Sequence, residues 1–288
     1  MQYNSTPPTE ATPHPTNGIV GLFGRPFVSL DDLFDLSPLD AMHDEICSAL
    51  ARMPTTYTGG SHRSMGIMPP GFEAEAQVDY QELIRGLDDA QFAIFASLAF
   101  DPAATLAARA QGKEFGEERH VPLSHPQMLW LKMRHRVYFP WKLFAELIPS
   151  WRWEDKADPG KRFTTQAEAL LPRTIDFVRK LPFVHIGRCN ILGLEAHDHG
   201  TVHRDGWHKP GRKPDSFLTI SPSGAKRLFV QNETTGERVT VTGRVIWFND
   251  HDFHGVHPDP FFRYSMRVDG PFTPEFEQVL AERFGRQP

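Results

Sequence analysis

Two histidines and an aspartate form the pattern in this chain with the clearest chemistry. His203 and Asp205 are two residues apart in the segment TVHRDG (201–206), and His254 lies in the segment WFNDHDFHGV (247–256). Two imidazoles and one carboxylate suit an octahedral Fe(II) ion that keeps one face open for substrates. We therefore predict that His203, Asp205 and His254 bind a metal ion and, through it, form the catalytic centre.

Two arginines follow the second histidine. Arg263 comes nine residues after His254, in the segment FRYSMRVD (262–269). A guanidinium fixed one strand away from a metal can hold the far carboxylate of a keto acid bidentately. Arg267 lies on the same face of the predicted strand, because side chains two residues apart share a face, and it competes for this role. Metal ligands together with an anion-binding arginine form a stronger signal than either feature alone.

The composition restricts the class of protein. The chain has 288 residues, 40% of them hydrophobic, and a formal net charge of -5 at pH 7. It therefore has no basic field, and nucleic acid is not expected as a partner. The only two cysteines do not make a disulfide framework, which favours a reducing, cytoplasmic location. No run approaches the roughly 20 apolar residues of a membrane span, so no membrane association is expected.

Hydrophobic periodicity predicts a mostly helical region from residue 19 to residue 182. Helices are predicted over about 37–50, 78–98, 124–139 and 165–181, and Pro140 is expected to end the third of them. Residues 1–18 are rich in proline and threonine and are predicted to be a disordered tail.

From residue 183 onwards the pattern changes to short runs of β-branched and aromatic residues separated by turns. The predicted strands are Phe183–Leu194, Phe217–Ser221, Arg227–Gln231, Arg238–Val241, Arg244–Phe248 and Arg263–Val268. Strands at this spacing, without long helices between them, favour a jelly roll. We predict an α+β protein: a double-stranded β-helix catalytic core at 183–288 with the helical region 19–182 packed on it, as one compact catalytic unit.

The predicted strands must bring the candidate ligands together. On a strand, His203 and Asp205 point to the same face and enter the mouth of the barrel, while Arg204 faces outward. The second histidine is expected at the far end of the strand Arg244–Phe248, facing the first pair.

Taken in order, these segments resemble the 2-oxoglutarate/Fe(II)-dependent dioxygenases, and within them the aspartyl/asparaginyl β-hydroxylase branch. The resemblance covers about residues 165–275. It rests on the segments LPF (181–183), IGRCNIL (186–192), TVHRD (201–205), WFNDHDFHGV (247–256) and FRYSMRVD (262–269).

The resemblance implies that His203, Asp205 and His254 bind Fe(II). It favours His254 over two neighbouring histidines, His251 and His257, that compete for the place of the third ligand. Arg263 would bind the distal carboxylate of 2-oxoglutarate, with Arg267 as the competing residue. Asn190 is the candidate for a hydrogen bond to the co-substrate carboxylate nearer the metal.

The implied reaction uses Fe(II), 2-oxoglutarate and O2, and it couples formation of succinate and CO2 to hydroxylation of an unactivated C–H bond. An amino acid or amino-acid-derived small molecule is the expected substrate, because Arg267, Lys226 and Arg227 suit a compact anion near the predicted mouth. A charged turn is the plainer interpretation of Lys226 and Arg227. An Asp or Asn side chain within a peptide is the alternative substrate that the branch allows.

Two other classes of function compete with this hypothesis. A non-catalytic cupin-like metal-binding module predicts that Arg263 faces solvent. A zinc hydrolase or isomerase on the same scaffold needs a general base near the metal. The nearest glutamate to the His-x-Asp unit is Glu195, which belongs to a different segment.

Overall fold

The computed structural model describes residues 18–53, 67–68, 80–115, 121, 123–137, 144–149, 155–205 and 213–285. Their helices are Leu39–Leu50 (α1), Tyr80–Gly86 (α2), Asp89–Ser97 (α3), Pro102–Ala110 (α4), His125–His135 (α5), Thr165–Leu170 (α6), Pro172–Arg179 (α7) and Pro274–Phe284 (α8). Their strands are Phe27–Ser29 (β1), Ile67–Met68 (β2), Phe144–Ile148 (β3), Arg188–Leu194 (β4), His199–His203 (β5), Phe217–Ile220 (β6), Leu228–Gln231 (β7), Arg238–Thr240 (β8), Val245–Phe248 (β9), Phe253–Val256 (β10) and Arg263–Asp269 (β11). The predicted tail lies outside the described residues except for Gly18.

The strands form two antiparallel sheets. In the described residues, the larger sheet has the order β1-β9-β6-β11-β4-β3, and the smaller sheet has the order β2-β5-β10-β7-β8. Between β4 and β11 the chain passes repeatedly from one sheet to the other. Eight antiparallel strands divided in this way between two sheets make a jelly roll, or double-stranded β-helix. The predicted α+β fold with this core is confirmed.

Strand β11 lies in the middle of the larger sheet, between β4 and β6. Its alternate side chains project to opposite faces. The set on the inner face, towards the smaller sheet, is Arg263, Ser265, Arg267 and Asp269. The set on the outer face is Tyr264, Met266 and Val268, and it belongs to the main hydrophobic core. Helices α1, α7 and α8 contribute buried residues to that same core, so they cover the outer face of the larger sheet.

Two predicted helices are each divided in the structure, and the single-helix predictions are wrong. The stretch predicted at 78–98 contains α2 and α3, because Asp88 caps α3 by accepting a hydrogen bond from the Gln91 backbone N–H at 2.8 Å. The stretch predicted at 165–181 contains α6 and α7. Pro172 cannot donate the backbone hydrogen bond that a continuous helix needs, so it begins a new helix instead.

Helix α5 begins as predicted. Ser124 and Gln127 form a capping box, in which each side chain bonds the backbone of the other residue. The helix ends at Arg136, whose backbone φ of 59° is left-handed. Pro140, the predicted end, lies outside the described residues.

The helical prediction for residues 19–182 missed two strands of the larger sheet. Strand β1 pairs with β9 at one edge, and β3 pairs with β4 at the other edge. The described residues between 80 and 137 form a second hydrophobic cluster from α2 to α5, which includes Phe92, Phe95 and Leu131. None of the described helices is long and apolar enough to span a membrane.

Candidate metal centre

Strands β5 and β10 bring the two predicted histidine ligands together. His203 ends β5, and His254 lies directly opposite it in the antiparallel pair. Their ring centroids are 4.5 Å apart. The expectation that His254 ends the strand Arg244–Phe248 is wrong, because β9 ends at Phe248 and His254 belongs to β10 in the other sheet.

The prediction that His203 and Asp205 share a strand is wrong for Asp205, which completes the set from a bend just beyond β5. Its backbone N–H donates to the carbonyl of Asp250 at 2.8 Å, which fixes the bend. Its Oδ1 atom lies 3.6 Å from His203 Nε2 and 3.9 Å from His254 Nε2. One ligand atom from each of the three residues lies within 4.8 Å of the others. This donor set fits a single metal ion with open positions.

The imidazole of His254 is held in the form that binds metals. Its Nδ1 lies 2.9 Å from the Asp252 carbonyl oxygen. A carbonyl can only accept, so Nδ1 carries the proton and Nε2 keeps its lone pair towards Asp205. Burial, with a smaller contribution from His203, lowers the pKa of His254 to about 4. The ring is therefore neutral at neutral pH, as metal ligation requires.

Arg267 holds the carboxylate of Asp205. Its Nη1 donates to Asp205 Oδ2 at 2.9 Å, and its Nη2 and Nε donate to Asp250 and Asp269 at 3.1 and 3.0 Å. Burial alone would raise the pKa of Asp205, but positive charge nearby, chiefly that of Arg267, holds that pKa below its usual range. Asp205 is therefore ionised at neutral pH and available as a ligand.

The structure places Arg263 on the inner face, with its side chain 0% exposed. Its Nη atoms donate to the backbone carbonyls of Glu195, Asp198 and His257. These bonds tie the loop between β4 and β5 to the loop between β10 and β11. The hydrogen-bonding fork of Arg263 is thus directed at the backbone.

Lys226, just before β7, is a cation whose role the sequence did not resolve. Its Nζ donates to Ser265 Oγ at 2.9 Å and lies 3.3 Å from the Leu192 carbonyl oxygen. Desolvation, with a smaller contribution from the charge of Arg263, lowers the pKa of Lys226 to about 7. Within the described part of the chain, no carboxylate forms an ion pair with it. The available signal was its position two residues before the apolar run LFV (228–230) of β7.

Two polar side-chain atoms, one on β4 and one directly after β6 in the larger sheet, have no hydrogen-bond partner among the described residues. They are Asn190 Oδ1 and Ser221 Oγ, and both are buried. Asn190 lies opposite Arg267 in the sheet, and Ser221 follows Ile220, which lies opposite Met266. Buried polar groups normally have partners. The unpaired Ser221 hydroxyl, the Lys226 cation and the metal-type donor set therefore fit a bound metal with an anionic ligand beside it, whereas Asn190 Oδ1 can only accept.

A second group of possible ligands lies close by. Asp215, Asp250 and His251 also offer atoms within 4.8 Å of one another. However, Lys156 Nζ lies 2.5 Å from Asp215 and 3.7 Å from Asp250, and Arg267 also pairs with Asp250. Cations of the chain already neutralise these carboxylates, so His203, Asp205 and His254 are the better candidate metal site. His251 belongs to this neighbouring group, and His257 contributes its carbonyl to Arg263.

No protein-family model matches the chain, and no curated protein matches it. Similar solved structures include a 2OG-Fe(II) oxygenase family oxidoreductase from Burkholderia pseudomallei, at 14% identity and a TM-score of 0.30 over 44% of this chain and 65% of that chain. A prolyl-4-hydroxylase from Pseudomonas putida aligns at 12% identity and a TM-score of 0.27 over 80% of this chain and 97% of that one. AviO1 from Streptomyces viridochromogenes Tue57 aligns at 15% identity and a TM-score of 0.28 over 51% and 81%.

The alignment with the first of these proteins spans just under two thirds of that protein's length. Likenesses at this level carry no argument about function. The fold follows from the strand order of the chain itself. The aspartyl/asparaginyl β-hydroxylase branch stays a prediction.

Proposed function

We propose that this protein is an Fe(II)- and 2-oxoglutarate-dependent oxygenase that hydroxylates an unactivated C–H bond of an amino acid or amino-acid-derived small molecule. The observation that carries the proposal is the inner surface of the β-helix. A set of two histidines and one carboxylate lies there beside a cationic, hydrogen-bonding pocket formed by Lys226 and Ser265.

The spacing between the two features fits a five-carbon keto diacid. Arg267, which holds the metal-side Asp205, and Ser265, which accepts from Lys226, are two residues apart on β11. Two residues of an antiparallel strand rise about 6.8 Å. The four C–C bonds between the end carbons of 2-oxoglutarate span about 5 Å when extended. A keto acid held at the metal side of β11 would extend towards Ser265, and we propose that its far carboxylate pairs with Lys226.

The side chains between the metal ligands and Lys226 have distinct roles in the proposal. His203, Asp205 and His254 would hold Fe(II) by three positions and leave the others open. Lys226 would pair with the far carboxylate of 2-oxoglutarate. Bound Fe(II), with 2-oxoglutarate and O2, supplies the oxidising chemistry that amino-acid side chains lack.

The remaining groups would orient the co-substrate and exclude water. Ser221 would donate its unpaired hydroxyl to the far carboxylate, and Asn190 would donate from its Nδ2 to the carboxylate nearer the metal. The buried inner face keeps bulk water from these contacts, which strengthens them.

Lys226 replaces Arg263 as the proposed partner of the distal carboxylate. The Nη donors of Arg263 already bond three backbone carbonyls, so Arg263 would contribute its positive charge to the pocket and support the surrounding loops. Arg267 is engaged by three carboxylates and would act on the metal ligand instead.

The burial of Arg263 also weighs against a non-catalytic metal-binding module, which requires this side chain in solvent. We propose a cytoplasmic location on the ground that Cys47 and Cys189 are both free thiols, as a reducing compartment would keep them.

The proposal is tested by adding Fe(II) and then 2-oxoglutarate under anaerobic conditions. We expect the weak visible charge-transfer band of a metal-chelated keto acid. Succinate release across a panel of free amino acids and short peptides would then separate the proposed small-molecule substrate from a peptidyl Asp or Asn. Absence of the band in the wild-type protein would contradict the proposal.

A further inference from the structure

The two carboxylate oxygens of Asp205 have different surroundings. Oδ1 faces the Nε2 atoms of His203 and His254 at 3.6 and 3.9 Å. Oδ2 faces the other way and accepts a hydrogen bond from Arg267 Nη1 at 2.9 Å. We propose that Arg267 is a positioning residue that makes Asp205 a one-oxygen ligand and thereby keeps one further coordination position of the metal open. This inference rests on the metal site of the proposed function.

Arg267 is itself held firmly enough to do this. Its planar guanidinium bonds Asp205, Asp250 and Asp269 through three different nitrogens. The Phe217 ring lies against it, with its centroid 3.9 Å from Arg267 Cζ. The side chain is buried. Rotation of the guanidinium would break several charge-assisted hydrogen bonds at once in a desolvated site.

Asp250 strengthens the same arrangement from a second direction. Its backbone carbonyl accepts the Asp205 N–H at 2.8 Å, and its Oδ2 accepts from Arg267 Nη2 at 3.1 Å. The backbone of Asp205 and the partner of its carboxylate are therefore anchored on one residue. The carboxylate plane of Asp205 has little freedom to turn both oxygens to the metal.

The distinction matters because a carboxylate can bind a metal with one oxygen or with two. In an octahedral site, three single-atom ligands leave three positions, whereas a two-oxygen Asp205 leaves two. A chelating keto acid uses two positions, and O2 needs another. Arg267 thus determines whether the metal can accept all the ligands that the proposed reaction requires.

The test counts metal-bound water on Mn(II)-loaded protein, without any keto acid. Water-proton relaxation measures the number of exchangeable waters on Mn(II). We expect three waters on the wild-type metal. In Arg267→Met, the freed Asp205 oxygen would close onto the metal, and the inner-sphere relaxation would fall by about one third.

Arg188→Met is the matched control. Arg188, like Arg267, donates a hydrogen bond to the carboxylate of Asp269, at 2.9 Å. It lies directly opposite Asp269 on the neighbouring strand β4. The two arginines are equally exposed, at 8% each. The control removes a comparable buried ion pair, so it should lose similar thermal stability and keep the wild-type relaxation.

Equal relaxation in Arg267→Met and Arg188→Met would overturn the inference. If Arg267→Met does not fold, the infrared change of the wild type on Mn(II) binding decides. A wide separation of the two carboxylate stretches supports one-oxygen binding, and a narrow separation overturns it.

A wild type that binds no Mn(II) overturns the metal site and the inference together. Three waters without a keto-acid band would support the role of Arg267 and overturn only the co-substrate proposal.

Discussion

Lys226 is the residue whose surroundings most favour an anionic ligand. Its ammonium group is taken out of bulk water but receives a hydroxyl and a carbonyl rather than a carboxylate. The nearby charge of Arg263 adds to the unfavourable energy of the site. A desolvated cation is costly unless it is paired. An anionic ligand would therefore stabilise this pocket as well as bind to it.

Replacing Lys226 with methionine should weaken 2-oxoglutarate binding selectively. Removing one partner of a desolvated charge pair costs about 2–5 kcal/mol, so we expect the Kd of the metal-loaded protein to rise at least about thirtyfold. Titration of the charge-transfer band measures this. The control is Arg227→Met, because the side chain of Arg227 is 52% exposed and its ion pair is with Asp259 rather than with the pocket of Lys226. It should change the Kd less than about twofold. Equal titrations for both variants would place the far carboxylate elsewhere.

Binding of 2-oxoglutarate should also weaken as the pH rises through neutrality. Desolvation lowers the pKa of Lys226 to about 7, so the ammonium is charged below pH 7 and loses its proton above it. The carboxylates of the ligand stay ionised throughout this range. We expect the Kd to rise roughly tenfold between pH 7 and 8.5, measured on protein already loaded with metal.

Lys226→Arg is the control for this pH effect. A guanidinium keeps its charge over the whole range, so the variant should show a much flatter profile. A wild-type Kd that stays constant from pH 6.5 to 8.5 would show that Lys226 does not carry the pH dependence of binding.

At the scale of elements, the turn before β10 is joined to the start of the described chain. The carboxylate of Asp252 accepts hydrogen bonds from the backbone N–H groups of Val20 and Gly21 at 2.9 and 2.7 Å. The carbonyl of the same residue orients the imidazole of His254. The segment around residues 18–22 therefore helps to position a metal ligand more than 230 residues away in sequence.

Asp252→Ala should weaken metal binding through this connection. Loss of these two hydrogen bonds, one buried and one part-buried, should cost about 1–3 kcal/mol of unfolding free energy. Loosening of a group that orients a metal ligand should also lower Mn(II) affinity about tenfold. Calorimetric titration with Mn(II) measures the second effect.

Asp31→Ala is its matched control. The carboxylate of Asp31 likewise accepts hydrogen bonds from two successive N–H groups far along the chain, those of Arg244 and Val245. It touches the start of β9 rather than the turn before β10. The control should lose similar stability and keep its Mn(II) affinity. Equal affinities in the two variants would show that the Asp252 contact is structural only.

At the scale of the whole molecule, the described hydrophobic residues divide into two main clusters. The sheets pack with α1, α7 and α8 in one cluster, and α2–α5 form the other. Phe95 is fully buried in the helical cluster, where its ring contacts those of Phe92, Phe115 and Trp130. The metal ligands belong to the sheets, so the two clusters should respond differently to core substitutions.

Phe95→Ala should destabilise the helical cluster while leaving the metal site intact. A phenylalanine cavity of this kind costs about 3–5 kcal/mol. Hydrogen exchange should quicken in residues 80–137, and Mn(II) affinity should remain within about twofold of wild type. Met266→Ala, which removes a side chain that β11 buries in the main core, should instead quicken exchange in the sheets and weaken Mn(II) binding. Loss of metal binding in Phe95→Ala would show that the site depends on the helical cluster.

Most strands rich in β-branched residues were predictable from the sequence to within one residue at each end, but the strand predicted at Phe183–Leu194 begins only at Arg188. Strand β9 is predicted at Arg244–Phe248 and observed at Val245–Phe248, because a run of apolar residues between turns is a local signal. Strand β5 was missed, since His199–His203 has little apolar content and takes its shape from pairing with β10. The placement of His254 was wrong because β10 was missed as well. The pairing of β10 with β5 puts His254 opposite His203.

The sequence by itself determined the kinds of donor available and the jelly-roll strand pattern, because residue type and hydrophobic period are local properties. Only the tertiary structure decided which cation meets which acceptor. Arg263 is directed at carbonyls of two distant loops, while Lys226 reaches Ser265 across the β-helix. Such pairings depend on strand register and on which groups folding removes from water. Neither can be read from the spacing of residues along the chain.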